Sequence, residues 1–121
     1  MRLIDLSAVP TEPITLFDSV AASSQVVAGG RGEAHVHCLR FEPGGKIGKH
    51  PTGFGQLFLV IEGSGWAIGA DGQRIELAAG QGVFFERGQH HSKGSDRGMT
   101  ALMVQVTDLQ LSALVNEASH Q

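Results

Sequence analysis

Seventeen glycines interrupt a chain of 121 residues, about twice the roughly 7% usage of an average protein, and they follow no collagen-like period. Glycine weakens the interior of a helix or strand but fits the tight turns between such elements. A chain punctuated this often is therefore committed to short elements, and the runs between its glycines read as strands. His35, His37, Leu39 and Phe41 alternate with Ala34, Val36, Cys38 and Arg40 on the two faces of one strand. Leu57 to Ile61 is apolar on both faces, so both of its sides need cover: the interior on one, and a second sheet, a terminal segment or another subunit on the other.

Trp66 to Ile68 and Arg74 to Leu77 flank Asp71 and Gly72, a dipeptide that predicts a two-residue type I′ hairpin. Val83 to Phe85 and Met99 to Val106 supply further strands, and Asp108 is placed to cap a short C-terminal helix over 108–118. Residues 1–24, with Pro10 and Pro13, read as an N-terminal arm carrying one or two short edge strands, and residues 33–106 as the core. Seven to ten short strands with glycine-bearing turns predict an all-β barrel or sandwich rather than an α/β fold. At 121 residues the chain is expected to be a single domain.

Composition excludes several partners. A net charge of −3 gives no basic footprint, so nucleic acid is not expected. The longest apolar run is Leu57 to Ile61, far below the roughly 18 residues of a membrane-spanning helix. Cys38 stands alone, so no internal disulfide forms, and it reads as a small buried hydrophobe. The N-terminal stretch MRLIDLSAVP lacks the long apolar segment of a secretory signal, which makes a reducing cytoplasm the expected compartment.

Two histidines stand in similar glycine frames. Gly44, His50, Thr52, Gln56 and Gly63 reproduce one spacing, and Gly80, Glu86, Gly88, His91 and Ser95 a second. In order and spacing these resemble the two motifs of the cupin superfamily, with threonine in place of the second histidine of the first motif and glutamine in place of its glutamate. In the second motif, glutamate and serine stand for proline and asparagine. The resemblance implies a double-stranded β-helix, or jelly-roll barrel, covering the whole chain as one cupin domain with a short C-terminal helix.

It further implies a divalent metal inside the barrel, of which zinc, iron, manganese and nickel are the candidates, held by His50, Gln56 and His91. His35 or His37 are candidates to complete the set. Threonine at 52 removes one imidazole, and glutamine at 56 removes the anionic ligand that would offset the metal's charge. Thr52, Phe58, Trp66 and Phe85 are the candidate lining of a small-molecule pocket. A homodimer is expected, because Leu57, Leu59 and Ile61 lie opposite the inward set Gln56, Phe58 and Val60, and cupins commonly cover such faces by pairing. Two functions stay open at this point. One is a metal-dependent oxygenase, isomerase or decarboxylase acting on a small organic molecule; the other is a non-catalytic, metal-free barrel that binds a small ligand or serves as a dimeric accessory protein.

Overall fold

The computed structural model describes residues 1–115 of the chain. Ten strands follow one another: β1 (Arg2–Asp5), β2 (Glu12–Pro13), β3 (Ser23–Ser24), β4 (Ala28–Phe41), β5 (Lys46–Pro51), β6 (Gly55–Ile68), β7 (Arg74–Ala78), β8 (Gln81–Phe85), β9 (His90–Gly94) and β10 (Met99–Leu111). The long strand β6 is the spine. Its first part pairs with β8 and β10, and from Ser64 onward it pairs with β7 and β9. β1 and β4 extend one wall beyond β8 and β10, while β5 extends the other beyond β9. The result is a barrel of antiparallel strands, as the glycine spacing predicts.

The change of partners along β6 falls at Gly63, whose φ is +79°. A Cβ there would collide with the Gly98 carbonyl oxygen, so only glycine permits this close crossing. Between the walls lies a core that includes Phe41, Phe58, Val60, Ala67, Phe85 and Ala101.

A second core covers the outside of β6. Leu57 is buried there with Phe84 of β8, Ile4 and Val9 from the N-terminal segment, and Leu109, Leu111 and Val115 from the C-terminal one. Segments from both sides of the sequence thus cover Leu57 on the back of β6. Ile61 alone of the expected three is exposed, next to a register shift between Thr100 and Ala101 of β10. Other exposed apolar side chains, Leu16, Phe17 and Val20, lie between β2 and β3, which form a separate small sheet.

Several boundaries differ from the sequence reading. Within residues 1–24, Arg2–Asp5 forms an edge strand paired with β8, and Ile4 is fully buried. The core strands run outward past 33 and 106: Asp108 to Leu111 pair with Arg31 to Ala28 after a register shift. Asp108 therefore sits in a strand and caps no helix. Helical residues begin at Ala113, and the remainder of the expected helix lies outside the described residues.

The turn at Asp71–Gly72 is also different. Only Gly72 has a positive φ, the Gly72 N–H donates to the Gly69 carbonyl, and Asp71 Oδ1 accepts from the Gln73 N–H. This is a longer loop ending in a left-handed glycine, not a type I′ pair. Cys38 is exposed rather than buried, since β4 is paired only on its β10 side. Among the described residues no helix is long and apolar enough to cross a membrane.

Candidate functional site

Strand pairing assembles the interior row by row. Directly paired residues point to the same side of a sheet, so the row His35, Gln105, Gln56, Phe85 crosses β4, β10, β6 and β8, and His37, Met103, Phe58, Val83 forms the next. On the facing wall His50 pairs with His91, and Ile47 with Lys93. His50 and Ile47 are three positions apart and would normally face opposite ways. A register shift between them places both opposite the same face of β9, which is how a bulge re-aims a side chain.

His50 and His91 meet, with ring centroids 4.7 Å apart. His50 is exposed at the rim, and His91, only 1% exposed, stacks on Phe85 at 4.2 Å. Each ring is held from behind. The Nδ1–H of His50 donates to the Gly48 carbonyl at 2.7 Å, and that of His91 to the Gln89 carbonyl at 3.4 Å. The Nε2 of His91 is thereby left as an acceptor.

The interior also holds a residue that the motif comparison passes over. Lys93 is 1% exposed, and its Nζ donates to His91 Nε2 at 3.3 Å and contacts Met103 Sδ at 3.8 Å. The Nζ lies over the rings of Phe58 and Phe85, 5.2 and 5.7 Å from their centroids. Among the described residues Lys93 makes no ion pair. Burial pushes the Lys93 ammonium down to about 8. Burial first, and then the Lys93 charge, push His91 down to about 4, so the imidazole is neutral near neutral pH. Lys93 was legible in principle: it stands two residues after His91 in a strand, and period two puts both on one face.

Gln56 is buried in the same interior at 1% exposure. Its Oε1 accepts from Gln105 Nε2 at 3.5 Å, while its own Nε2 has no hydrogen-bond partner among the described residues. Thr52 is buried but turned to its own loop, where its hydroxyl donates to the Phe54 carbonyl and accepts from the Phe54 N–H. His35 and His37 share the inner face of β4 yet remain exposed at its edge. Their rings contact each other, and His35 also contacts Phe54 and holds Glu33 at 2.6 Å.

Phe58 and Phe85 do line the interior. Trp66 does not join them, because alternation gives the inner place to Ala67 and leaves Trp66 outside under Arg74, 5.0 Å from its guanidinium. Ser95 is fully buried and structural: it donates to the Ser64 carbonyl and accepts from the Gly98 N–H.

This donor set does not fit a divalent metal ion. Such an ion would compete with Lys93 Nζ for His91 Nε2, and no three His, Cys, Asp or Glu side chains converge among the described residues. With an ammonium beside His91 and no carboxylate paired with it among the described residues, the local charge is positive before any cation arrives.

Fold and paired glycine frames together define a β-barrel of the jelly-roll type with an inward histidine pair. Residues 15–120 match the model of a cupin family, and the chain belongs to the cupins. It is 36% identical over 69 residues to an (R)-mandelonitrile lyase of Granulicella tundricola, a match covering 55% of this chain and 53% of that protein. The chain thus spans about half the length of this curated relative. Among solved structures, a cupin superfamily protein of Desulfitobacterium hafniense superposes with a TM-score of 0.59 at 18% identity, covering 85% of this chain and 98% of that one. A conserved protein of Klebsiella pneumoniae with a double-stranded β-helix domain superposes with a TM-score of 0.57 at 22% identity, covering 71% and 80%. These structural similarities establish the fold.

Proposed function

We propose that this cupin binds a small organic molecule in its barrel interior, beside Gln56, His91 and Lys93, and holds it by hydrogen bonds and charge rather than through a divalent metal. The observation that carries this reading is the Lys93 Nζ, buried 3.3 Å from His91 Nε2 where a metal would otherwise draw on the imidazole. A buried amino group is costly, and its presence among Phe58, Phe85 and Met103 gives an organic ligand both a polar anchor and an apolar wall. The partial similarity to a lyase named for mandelonitrile is in keeping with a small organic ligand.

A competing reading has one observation in its favour. Both histidines hold Nδ1–H against a backbone carbonyl, the orientation that metal-ligating histidines commonly adopt. In that reading zinc, iron, manganese or nickel would be held by His50, Gln56 and His91.

One pair of measurements decides between them. Elemental analysis of protein purified without chelator should find no stoichiometric metal; one metal per chain, lost in His91→Ala, would overturn the metal-free reading. Chemical-shift mapping with benzaldehyde, benzyl alcohol, benzoate and benzamide should perturb β6, β8, β9 and β10 around Phe58, Phe85 and Lys93. Perturbations confined to the outer groove of about 1000 Å³ lined by Arg2, Phe84 and Leu109 would show the interior to be the wrong place.

A further inference from the structure

We infer that the interior is a receptor for a single carboxylate on an apolar body, with Lys93 Nζ and Gln56 Nε2 as the two donors to its oxygens; this rests on the interior-binding reading above. Two independent observations lead there. The first is a cation, 1% exposed, that makes no ion pair among the described residues and is met only by a neutral imidazole, a thioether and two phenyl faces. The second is a primary amide N–H, on a side chain equally buried, with no acceptor among the described residues.

A buried amide N–H without an acceptor is rare inside proteins, and a buried ammonium whose hydrogen bonds go to an imidazole and a thioether has its charge unbalanced among the described residues. Both belong to one neighbourhood. Gln56 is the direct cross-strand partner of Phe85, and the Lys93 Nζ lies over the rings of Phe85 and Phe58.

The chemistry of the missing partner follows from what these groups offer. Both donate, so the partner must accept, which is the opposite of what a metal cation does. One buried cation balances one negative charge, and a dianion such as phosphate would carry a second charge into the barrel uncompensated. A carboxylate has one charge and two acceptor oxygens. Phe58, Phe85 and Met103 then face whatever the carboxylate is attached to, which favours an aromatic or aliphatic body without charge. His50, exposed at the rim with its ring against His91, stands between this interior and solvent.

Calorimetric titration of the full chain with benzoate and with its neutral counterpart benzamide tests this. Benzoate should bind about tenfold or more tightly than benzamide, the scale of a hydrogen bond to a charged group. Lys93→Met, which keeps the apolar stem, should abolish that preference, and Gln56→Leu should weaken benzoate several-fold while leaving benzamide less affected. Equal binding of the two probes by the wild type, or unchanged benzoate binding by Lys93→Met, would overturn the carboxylate inference while leaving interior binding intact. Binding of neither probe also overturns it, and interior binding itself then falls only if the shift mapping with benzaldehyde and benzyl alcohol is blank as well.

Discussion

The two faces of β6 are built from the same strand by opposite rules. Outward, Leu57 packs on Ile4, Val9, Phe84, Leu109, Leu111 and Val115, all apolar and all supplied by the chain itself. Inward, the same strand presents Gln56 between Phe85 and Gln105, and across the barrel a lysine leans over Phe58. The outer cluster is a set of buried apolar side chains packed on one another, with the Arg2 guanidinium over the Phe84 ring. The inner face is buried to the same degree but, among the described residues, leaves an amide N–H without an acceptor and an ammonium without a carboxylate. Both faces hold a packed apolar cluster, but the inner one also carries the polar groups that could recognise another molecule.

The largest test of that contrast is truncation on the outer face. Phe84→Ala, at a residue 3% exposed, should cost about 4 kcal/mol, the range seen when a buried aromatic is removed from a packed core. Urea unfolding should register it as a lower midpoint. A cost below about 1 kcal/mol would mean that the terminal segments do not hold this face closed.

Acidification comes next and acts on the inner face. His91 is held down to about 4 in the folded protein against an ordinary value of 6.5. As pH falls below 6.5 the unfolded chain takes up a proton that the folded one refuses until about 4, so stability present above that window is lost across it. The loss should reach roughly 3 kcal/mol. It should be absent from His91→Gln, so the readout is the difference between the two acid limbs. Parallel limbs would mean that His91 takes up its proton as readily in the fold as in the unfolded chain.

Lys93→Met should move stability the other way, by roughly +2 kcal/mol, because an uncompensated buried charge is replaced by an apolar side chain of similar length. The alkaline limb offers a check. Between about 8 and the ordinary 10.5 the unfolded chain keeps the proton that the folded one has released, so wild-type stability rises with pH there, and the variant should lack that rise. Benzoate affinity should fall over the same approach to pH 8 and above, as the ammonium is lost. A destabilised Lys93→Met would assign Lys93 to the structural scaffold instead.

How far the sequence discloses each face also differs. Glycine spacing carries the barrel, because turns and crossings such as Gly63 over Gly98 admit no other residue. Alternation within β6 places Phe58 and Val60 inside, where the structure has them. The same alternation sets Trp66 on the face opposite Ala67 and Lys93 on the face of His91, although a lysine belongs to no metal-ligand motif. Other features were not legible at all. The bulge that turns His50 inward depends on which residues of β9 oppose β5, and the continuation of β10 through Asp108 depends on a partner nearly 80 residues earlier in the chain. Cover for the back of β6 was open between the chain's own ends and a second subunit. Only long-range packing brings both ends over Leu57.

The smallest expected effect is the one that separates the two faces most cleanly. Gln56 is as buried as Leu57 beside it, so if burial alone set the energetics, changing either would cost several kcal/mol on the scale of core truncations. The amide of Gln56 makes a single bond, at 3.5 Å, and its Nε2 makes none among the described residues. Gln56→Leu removes an unmatched donor and retains most of the volume; Gln105, half-buried, can turn its own amide to water. The change in stability should therefore stay within about 1 kcal/mol of zero, while benzoate binding falls. A loss of several kcal/mol with binding unchanged would show that Gln56 is a packing residue like Leu57, and that the inner face of β6 obeys the same rule as the outer.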